Sequence, residues 1–448
     1  MTKAVNEREI VLAILMEVTE NGQYSHIVLR DVLSKYQYLE KKERAFITRV
    51  TEGTLEHMIE LDYILNQFSK VKVNKMKPVI RNILRSAVYQ LKYMDSVPDS
   101  AVCNEAVKLA VKKGFGTLRG FVNGVLRNVA RGLDQVEYPA EGIERLSVVY
   151  SMPEWILKLW KKTYDLDVIE SMLQAFQEET PVTIRCNLAK TTPENLKESL
   201  QKEGVTVTPH PYLSYAFWIQ DYDHLSELES FQKGAFYVQD ISSMLVGELA
   251  DPKKGDRVID VCAAPGGKAL HVAEKLRGTG SVEARDLSLY KVGLITENIE
   301  RSGLTNIHAV QKDATVCDAD VKDAADLVIA DLPCSGLGVL AKKTDLKYKA
   351  TEQSTKELAG LQREILKNAA SYVRPGGTLI YSTCTINPAE NIENVHWFLK
   401  EFPEFVLDPI ADRLCSTLQN SVEEAGCLQL LPGIHKSDGF FIARFGKK

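Results

Sequence analysis

The 448-residue chain has no cysteine pair at CxxC spacing and no histidine cluster. Its eight cysteines, Cys103, Cys186, Cys262, Cys317, Cys334, Cys384, Cys415 and Cys427, are widely scattered. That pattern excludes a disulfide-stapled scaffold and gives a metal site no support. No apolar run reaches the about 20 residues needed to cross a bilayer. The opening MTKAVNEREIVLAILMEV lacks the basic, apolar and small-residue order of a secretory leader. A cytoplasmic protein with no membrane partner is expected. There is also no low-complexity tract, heptad array or collagen-like period.

What is present is ordinary globular composition, 45% hydrophobic and 26% charged. The length calls for two or three domains. The formal net charge of -5 argues against a nucleic-acid binder taken whole, but the charge is uneven. Residues 1–131 hold 21 Lys plus Arg against 14 Asp plus Glu. A basic first domain on a mildly acidic remainder is compatible with docking RNA.

The first 130 or so residues read as helix. EREIVLAILMEV, AFITRVTEGTLEHMIELDYILNQF, VIRNILRSAVYQLKYM and FVNGVLRNVA carry apolar residues at helical spacing, with breaks at NGQYS, Lys77-Pro78, SVPDS and KKGFGTLRG. A further helix is expected to start at Asn104 and Glu105, and residues 131–150 to form a linker. A small α+β module follows. From about Gly234 the pattern becomes strand–helix alternation, which predicts a doubly wound, largely parallel sheet with an antiparallel hairpin at its edge.

Chemistry concentrates at predicted strand ends. Asp260-Val-Cys-Ala-Ala-Pro-Gly-Gly-Lys268 joins a strand to a helix. Small residues there let a ligand approach the backbone. The spacing is neither GxGxxG nor GxxxxGK[ST], so dinucleotide and P-loop sites are disfavoured. Asp286 ends the second strand, where an acid can accept ribose hydroxyls of a nucleoside-containing cofactor. Asp313 is expected to end the third strand, within reach of an adenine amino group. Asp331-Leu-Pro-Cys-Ser-Gly336 and Tyr381-Ser-Thr-Cys384-Thr385 end two further strands. Cys334 and Cys384 are thereby expected to face one crevice. Two thiols without other ligands make a poor zinc site, and covalent catalysis fits them better.

FYVQDISSML, DVCAAPGGK, DLPCSGLG, YSTCTINPAENI and LLPGIHKSDGFFIARF, in this order, resemble the bacterial ribosomal small-subunit RNA cytosine-C5 methyltransferases of the Sun/Fmu type, within the NOL1/NOP2/Sun family. NEAVKLAVKKGFGTLRGFVNGVLRNVAR resembles the NusB antitermination factor, an RNA-binding fold. The resemblance covers essentially the whole chain. It implies a helical RNA-binding domain at 1–135, a small α+β RNA-binding module at 145–233 and a Rossmann-like methyltransferase domain at 234–448. It implies S-adenosyl-L-methionine as cofactor, held by Cys262, Ala263, Ala264, Pro265, Gly266, Gly267, Lys268, Asp286, Asp313 and Asp331. It implies Cys384 as the nucleophile that adds to cytosine C6, Cys334 in product release, and Asp331 against the cytosine.

The partner it implies is small-subunit (16S) ribosomal RNA. Arg119, Arg127, Arg185 and Asn187 are candidate RNA contacts, and a monomer with no obligate protein partner is expected. Three positions depart from the family pattern: Ala269 in place of a common Thr, Leu332 in place of Ala, and Ala389 in place of an acid, with Glu390 adjacent. Methylation of tRNA or large-subunit RNA, and a noncatalytic RNA-binding role, are the rival readings.

Overall fold

The computed structural model describes residues 6–448. The chain folds as two compact units. The first comprises residues up to Gln177 together with Leu340–Ala350, and the second comprises Glu178–Val339 and Thr351–Lys448.

The first unit is helical. Its main helices are Glu7–Thr19, Ser25–Lys35, Lys41–Glu56, Met58–Phe68, Pro78–Tyr93, Asp99–Lys112 and Arg119–Gly132, followed by Gly142–Val149, Glu154–Trp160 and Leu166–Gln177. Local signals set their ends. Asn6 caps the first by accepting from Glu9 N, and Pro78 opens the fifth, where no amide donor is required. Apolar faces meet in one core that includes Val11, Leu15, Ile47, Leu61, Leu84, Leu126 and Val129. Two expectations are corrected. The helix expected from Asn104 starts at Asp99, directly after Pro98, which suits a helix entry. The expected linker at 131–150 contains the helix Gly142–Val149, whose Leu146 and Val148 are buried.

The strap Leu340–Ala350 belongs with these helices. Asp345 accepts hydrogen bonds from Ser25 N at 3.0 Å and Ser25 Oγ at 2.7 Å. Lys347 Nζ donates to the Glu56 carbonyl at 2.8 Å.

The second unit holds two sheets. β1 (Val182–Cys186), β2 (Thr206–Pro209), β3 (Ala216–Gln220) and β4 (Phe236–Val238) form an antiparallel sheet in the order β2-β3-β1-β4. The larger sheet contains β5 (Arg257–Asp260), β6 (Ser281–Asp286), β7 (Ile307–Gln311), β8 (Ala325–Asp331), β9 (Val373–Thr383), β10 (Phe405–Leu407), β11 (Val422–Glu424), β12 (Cys427–Leu430) and β13 (Phe440–Lys447). Its order is β11-β12-β13-β9-β8-β5-β6-β7, with β10 beside β13. The β7-β6-β5-β8-β9 portion is parallel, and β10–β13 add antiparallel pairs. Apolar side chains cover both faces, as buried parallel strands require.

β5 lies between β8 and β6, so the strand order reverses beside it. Ligands of doubly wound sheets bind at the carboxyl ends of such strands. Among the described residues, no helix is long and apolar enough to cross a membrane, and no group of three or more His, Cys, Asp or Glu could hold a metal.

Candidate active site

Four adjacent strands deliver the site. β5 ends in Asp260, β6 in Asp286 and β8 in Asp331, and β9 ends one residue before Cys384. A crevice of about 320 Å³ opens over these ends, and its wall includes Cys262, Ala264, Asp286, Asp331, Cys334 and Cys384.

The turn after β5 leads into the helix Gly267–Lys275. Gly266 sits there at φ +105°, a conformation that side chains resist, although an added Cβ would meet Ile295 only at contact distance, 3.4 Å. The buried Asp286 carboxylate ties this turn to β6. It accepts from Ala264 N at 3.1 Å and Leu287 N at 2.8 Å, and Lys291 Nζ lies 3.3 Å away. Asp260 is fully buried, and its Oδ2 has no hydrogen-bond partner among the described residues. Burial, reinforced by the charge of Asp331, pushes its carboxyl up to about 7.

Asp331 is held from two sides. Lys268 Nζ donates to one carboxylate oxygen at 2.7 Å, and Ser382 Oγ donates to the other at 2.7 Å. Burial opposes the Lys268 charge, but Asp331, Asp260 and Cys384 outweigh it and hold its pKa above the ordinary lysine value.

Cys334 Sγ and Cys384 Sγ are 3.2 Å apart. The hydrogen bond to Cys384, then burial, then the charge on Cys384 keep the Cys334 thiol protonated well above its ordinary range. Glu390 fixes the loops that carry both thiols. It accepts from Ser335 N at 2.8 Å, Ser335 Oγ at 2.6 Å, Asn387 Nδ2 at 2.8 Å and Gln362 Nε2 at 3.2 Å. Sequence reasoning saw Glu390 only as a neighbour of Ala389. Its complete burial beside Ser335 comes from the fold.

The remaining sequence candidates are placed as follows. Asp313 lies two residues beyond the end of β7, not in it, and is exposed at the crevice rim. Its Oδ1 accepts from Thr315 N at 2.9 Å and Thr315 Oγ1 at 2.7 Å, a local turn that ends the strand early. Ala263 packs into the core beneath the crevice. The Pro265 carbonyl accepts from Asn298 at 2.9 Å.

Arg185 and Asn187 are both fully buried, which corrects their assignment as RNA contacts. Arg185 belongs to β1, an interior strand of the small sheet. It donates to Gln239 at 2.8 Å, pairs with Glu274 at 3.1 Å and lies over the Tyr237 ring at 4.3 Å. Asn187 donates to the carbonyls of Gly234 at 2.9 Å and Ser302 at 3.2 Å. Both side chains hold backbone and core in place and do not face solvent. Arg119 and Arg127 are exposed on the helical unit. Arg119 lines an open cleft with Asn104, Lys108 and Asn123.

Three family models match successive parts of the chain. They are the NusB family over residues 5–131, the RsmF/B-like ferredoxin-like domain over 152–222 and the 16S rRNA methyltransferase RsmB/F over 248–446. Fold and site together define a ribosomal RNA methyltransferase that depends on S-adenosyl-L-methionine. The "Probable ribosomal RNA small subunit methyltransferase B" of Bacillus subtilis (strain 168) is 36% identical, with 100% of each chain covered. The crystal structure of PH0851 superposes with a TM-score of 0.82 at 26% identity, covering 99% of each chain. NSun6 from Pyrococcus horikoshii with SFG gives a TM-score of 0.56 at 25% identity, over 69% of this chain and 98% of that one. The chain belongs to the ribosomal RNA small subunit methyltransferase B family.

Proposed function

We propose that this protein methylates C5 of a cytosine in small-subunit ribosomal RNA through a covalent adduct between Cys384 and C6. The observation that carries the reading is the placement of two thiols, 3.2 Å apart, beside a carboxylate held by Lys268 and Ser382. S-adenosyl-L-methionine supplies an electrophilic methyl sulfonium when bound. The cradle suits it: Gly266 holds a backbone conformation that side chains resist, and Asp286 and the unpartnered oxygen of Asp260 stand at the strand ends. Ala264, Gly266, Asp286 and Asp313 would hold it.

Cytosine C5 is a poor nucleophile by itself. Addition of the Cys384 thiolate to C6 makes C5 an enamine carbon that takes the methyl group. Loss of the C5 proton then re-forms the double bond and expels the thiolate. Asp331, fixed by two donors, would meet the N3/N4 edge of the base. Cys334 keeps its proton and lies against the sulfur that must leave, which suits it to assist product release. Arg119 and Arg127 would meet RNA phosphates. The target base must be unpaired or drawn out of its stack to reach the crevice.

The test is incubation with labelled S-adenosyl-L-methionine and protein-free small-subunit RNA, large-subunit RNA and tRNA in separate tubes, followed by mapping of 5-methylcytosine by mass spectrometry. A single modified cytosine in small-subunit RNA is expected. Transfer only to another RNA would overturn the substrate assignment. Silence in every tube from folded protein would overturn the catalytic reading.

A further inference from the structure

The small sheet of the second unit has two faces. β1 and β3 turn Ile184, Cys186, Phe217 and Ile219 into the module's own core, with Val207 of β2. Alternation along the strands sends Thr183, Arg185, Ala216, Trp218 and Thr208 to the other face. One end of that face is covered, because Arg185 pairs with Glu274 of the helix Gly267–Lys275 and lies over Tyr237. At the other end Trp218 stands in register between Thr183 and Thr208, half-buried, with Thr208 exposed. The module's core closes without this indole.

A cation is held over it. Lys436 lies in the loop between β12 and β13. Burial keeps the His210 ring below its ordinary range and hence neutral. Its Nδ1 accepts from Tyr212 N at 3.2 Å, so its Nε2 donates to the Lys436 carbonyl at 3.1 Å. Lys436 N donates to Tyr212 OH at 3.2 Å. With its backbone fixed on both sides, Lys436 reaches an ammonium over the Trp218 ring at 5.9 Å, while the His210 ring meets the indole edge-on at 4.4 Å. Lys436 is exposed and forms no ion pair among the described residues. The neighbouring Asp240 carboxylate is occupied: it accepts from Ser242 N at 3.0 Å, Ser242 Oγ at 2.7 Å and Asp438 N at 3.4 Å.

The same loop runs into the catalytic crevice. Gly439 N donates to Gly338 O at 2.8 Å, and Gly338 N donates to the Cys384 carbonyl at 3.1 Å. The two glycines press together: a Cβ on Gly338 would fall 1.9 Å from Gly439 O. The chain from Lys436 to Gly439 spans at most about 11 Å, so the indole and its cation stand a short step from the glycine pair that holds the Cys384 carbonyl. All of these residues belong to the second unit.

A partly solvated indole, an unpaired ammonium and threonine hydroxyls supply what one nucleotide of an unpaired strand uses: a stacking surface, a phosphate partner and hydrogen-bonding groups. A peptide strand would instead need an open sheet edge, and β3 is an interior strand, between β2 and β1. We propose that Trp218 and Lys436 form a binding site for a nucleotide that flanks the target cytosine. Its base takes the place of the ammonium over the indole, and its phosphate receives the displaced ammonium. This inference rests on the RNA-substrate reading above and gives the strand a path out of the crevice.

The experiment compares full-length wild type, Trp218→Ala, Trp218→Phe and Lys436→Ala. The probe is a single-stranded RNA of about 12 nucleotides containing cytosine. Its affinity, its quenching of tryptophan fluorescence and the salt dependence of its binding are measured, beside methyl transfer to small-subunit RNA, cofactor affinity and the thermal midpoint. Trp218→Ala should bind the probe roughly fivefold or more weakly, with cofactor affinity and the transfer rate at saturating RNA changed less than about twofold. Trp218→Phe should keep the affinity within about threefold and lose most of the quenching, although Trp155, Trp160 and Trp397 remain. Lys436→Ala should make the salt dependence of log K shallower by about 0.7. Should Trp218→Ala not fold, Trp218→Phe and Lys436→Ala still decide. Quenching retained in Trp218→Phe, or an unchanged salt slope in Lys436→Ala, would overturn the proposal. A wild type that binds the probe with quenching but methylates no RNA would overturn the thiol chemistry and leave this site standing, whereas methyl transfer without quenching would overturn this inference alone.

Discussion

Cys334 and Cys384 follow different strands, β8 and β9, yet their sulfurs stand 3.2 Å apart because those strands are neighbours in parallel register. Ala330 pairs with Tyr381 and Asp331 with Ser382, so each loop leaves the sheet at the same level. Glu390 then ties the loops together through Ser335 and Asn387.

The two thiols should differ in what their removal does. Cys384→Ala is expected to abolish methyl transfer, because it removes the sulfur proposed to add to C6. Cys334→Ala should leave adduct formation intact and stall release, so that protein and RNA migrate together on a denaturing gel. Equal, partial losses from both substitutions, with no adduct in either, would contradict the division of roles.

Their proximity also makes the site sensitive to oxidant. Peroxide can oxidise one thiolate to a sulfenic acid, which the other sulfur then attacks, so that two thiols become one disulfide and the peroxide becomes two waters. The sulfurs need approach only from 3.2 Å to about 2.05 Å. Brief peroxide treatment should stop methyl transfer and remove two hydrogens from the protein mass, and dithiothreitol should restore both. A Cys334→Ala protein should form no such bridge.

Two buried groups pull the pH dependence of stability in opposite directions. Asp260 is pushed up to about 7 in the folded chain by burial and by Asp331. It is protonated when folded and ionised when unfolded, so it withdraws stability as pH rises from about 4 towards 7. His271 is brought down to about 3 by burial and by the Arg185 charge. Its folded ring stays neutral while the unfolded one takes a proton, so it withdraws stability as pH falls from about 6.5 towards 3. Asp260→Asn should make stability rise more steeply between pH 4.5 and 6.5, and His271→Gln should tilt the profile the other way. Denaturant midpoints across that window read both, and parallel profiles for all three proteins would refute the assignment.

The Gly338–Gly439 contact leaves no space for a methyl group on either side. Gly338→Ala should cost about 1–3 kcal/mol, as overpacking generally does, and should depress activity further by shifting the Cys384 carbonyl bonded to Gly338. Thermal melts and single-turnover rates measured together check this. A neutral substitution in both would show that the backbone can part there cheaply.

Most of the catalytic unit was legible because strand–helix alternation is a local pattern. Asp260, Asp286 and Asp331 do end strands, and Cys334 and Cys384 do meet. What escaped depends on distant partners. Nothing local in AKKTDLKYKA marks it as buried, but Asp345 finds Ser25 across 320 positions and Lys347 finds Glu56 across 291. Arg185 is expected as an RNA contact but is buried against Glu274, 89 positions away. Polarity predicts exposure only where no partner waits inside, and a single sequence does not list such partners. The strand-end position of Asp313 shifted for the opposite reason, although the residue still lines the crevice. A local turn through Thr315 ended the strand before the apolar pattern suggested.

The strap also makes the helical unit discontinuous in sequence. A ribosome making this chain releases the first ten main helices early, but the carbonyls of Glu56 and Ser151 do not meet Lys347 and Tyr348 until the first half of the catalytic sheet has followed. The nascent helical unit therefore waits with an open seam, and it closes only as the catalytic unit takes shape. A chain cut after Gln177 would keep that seam permanently.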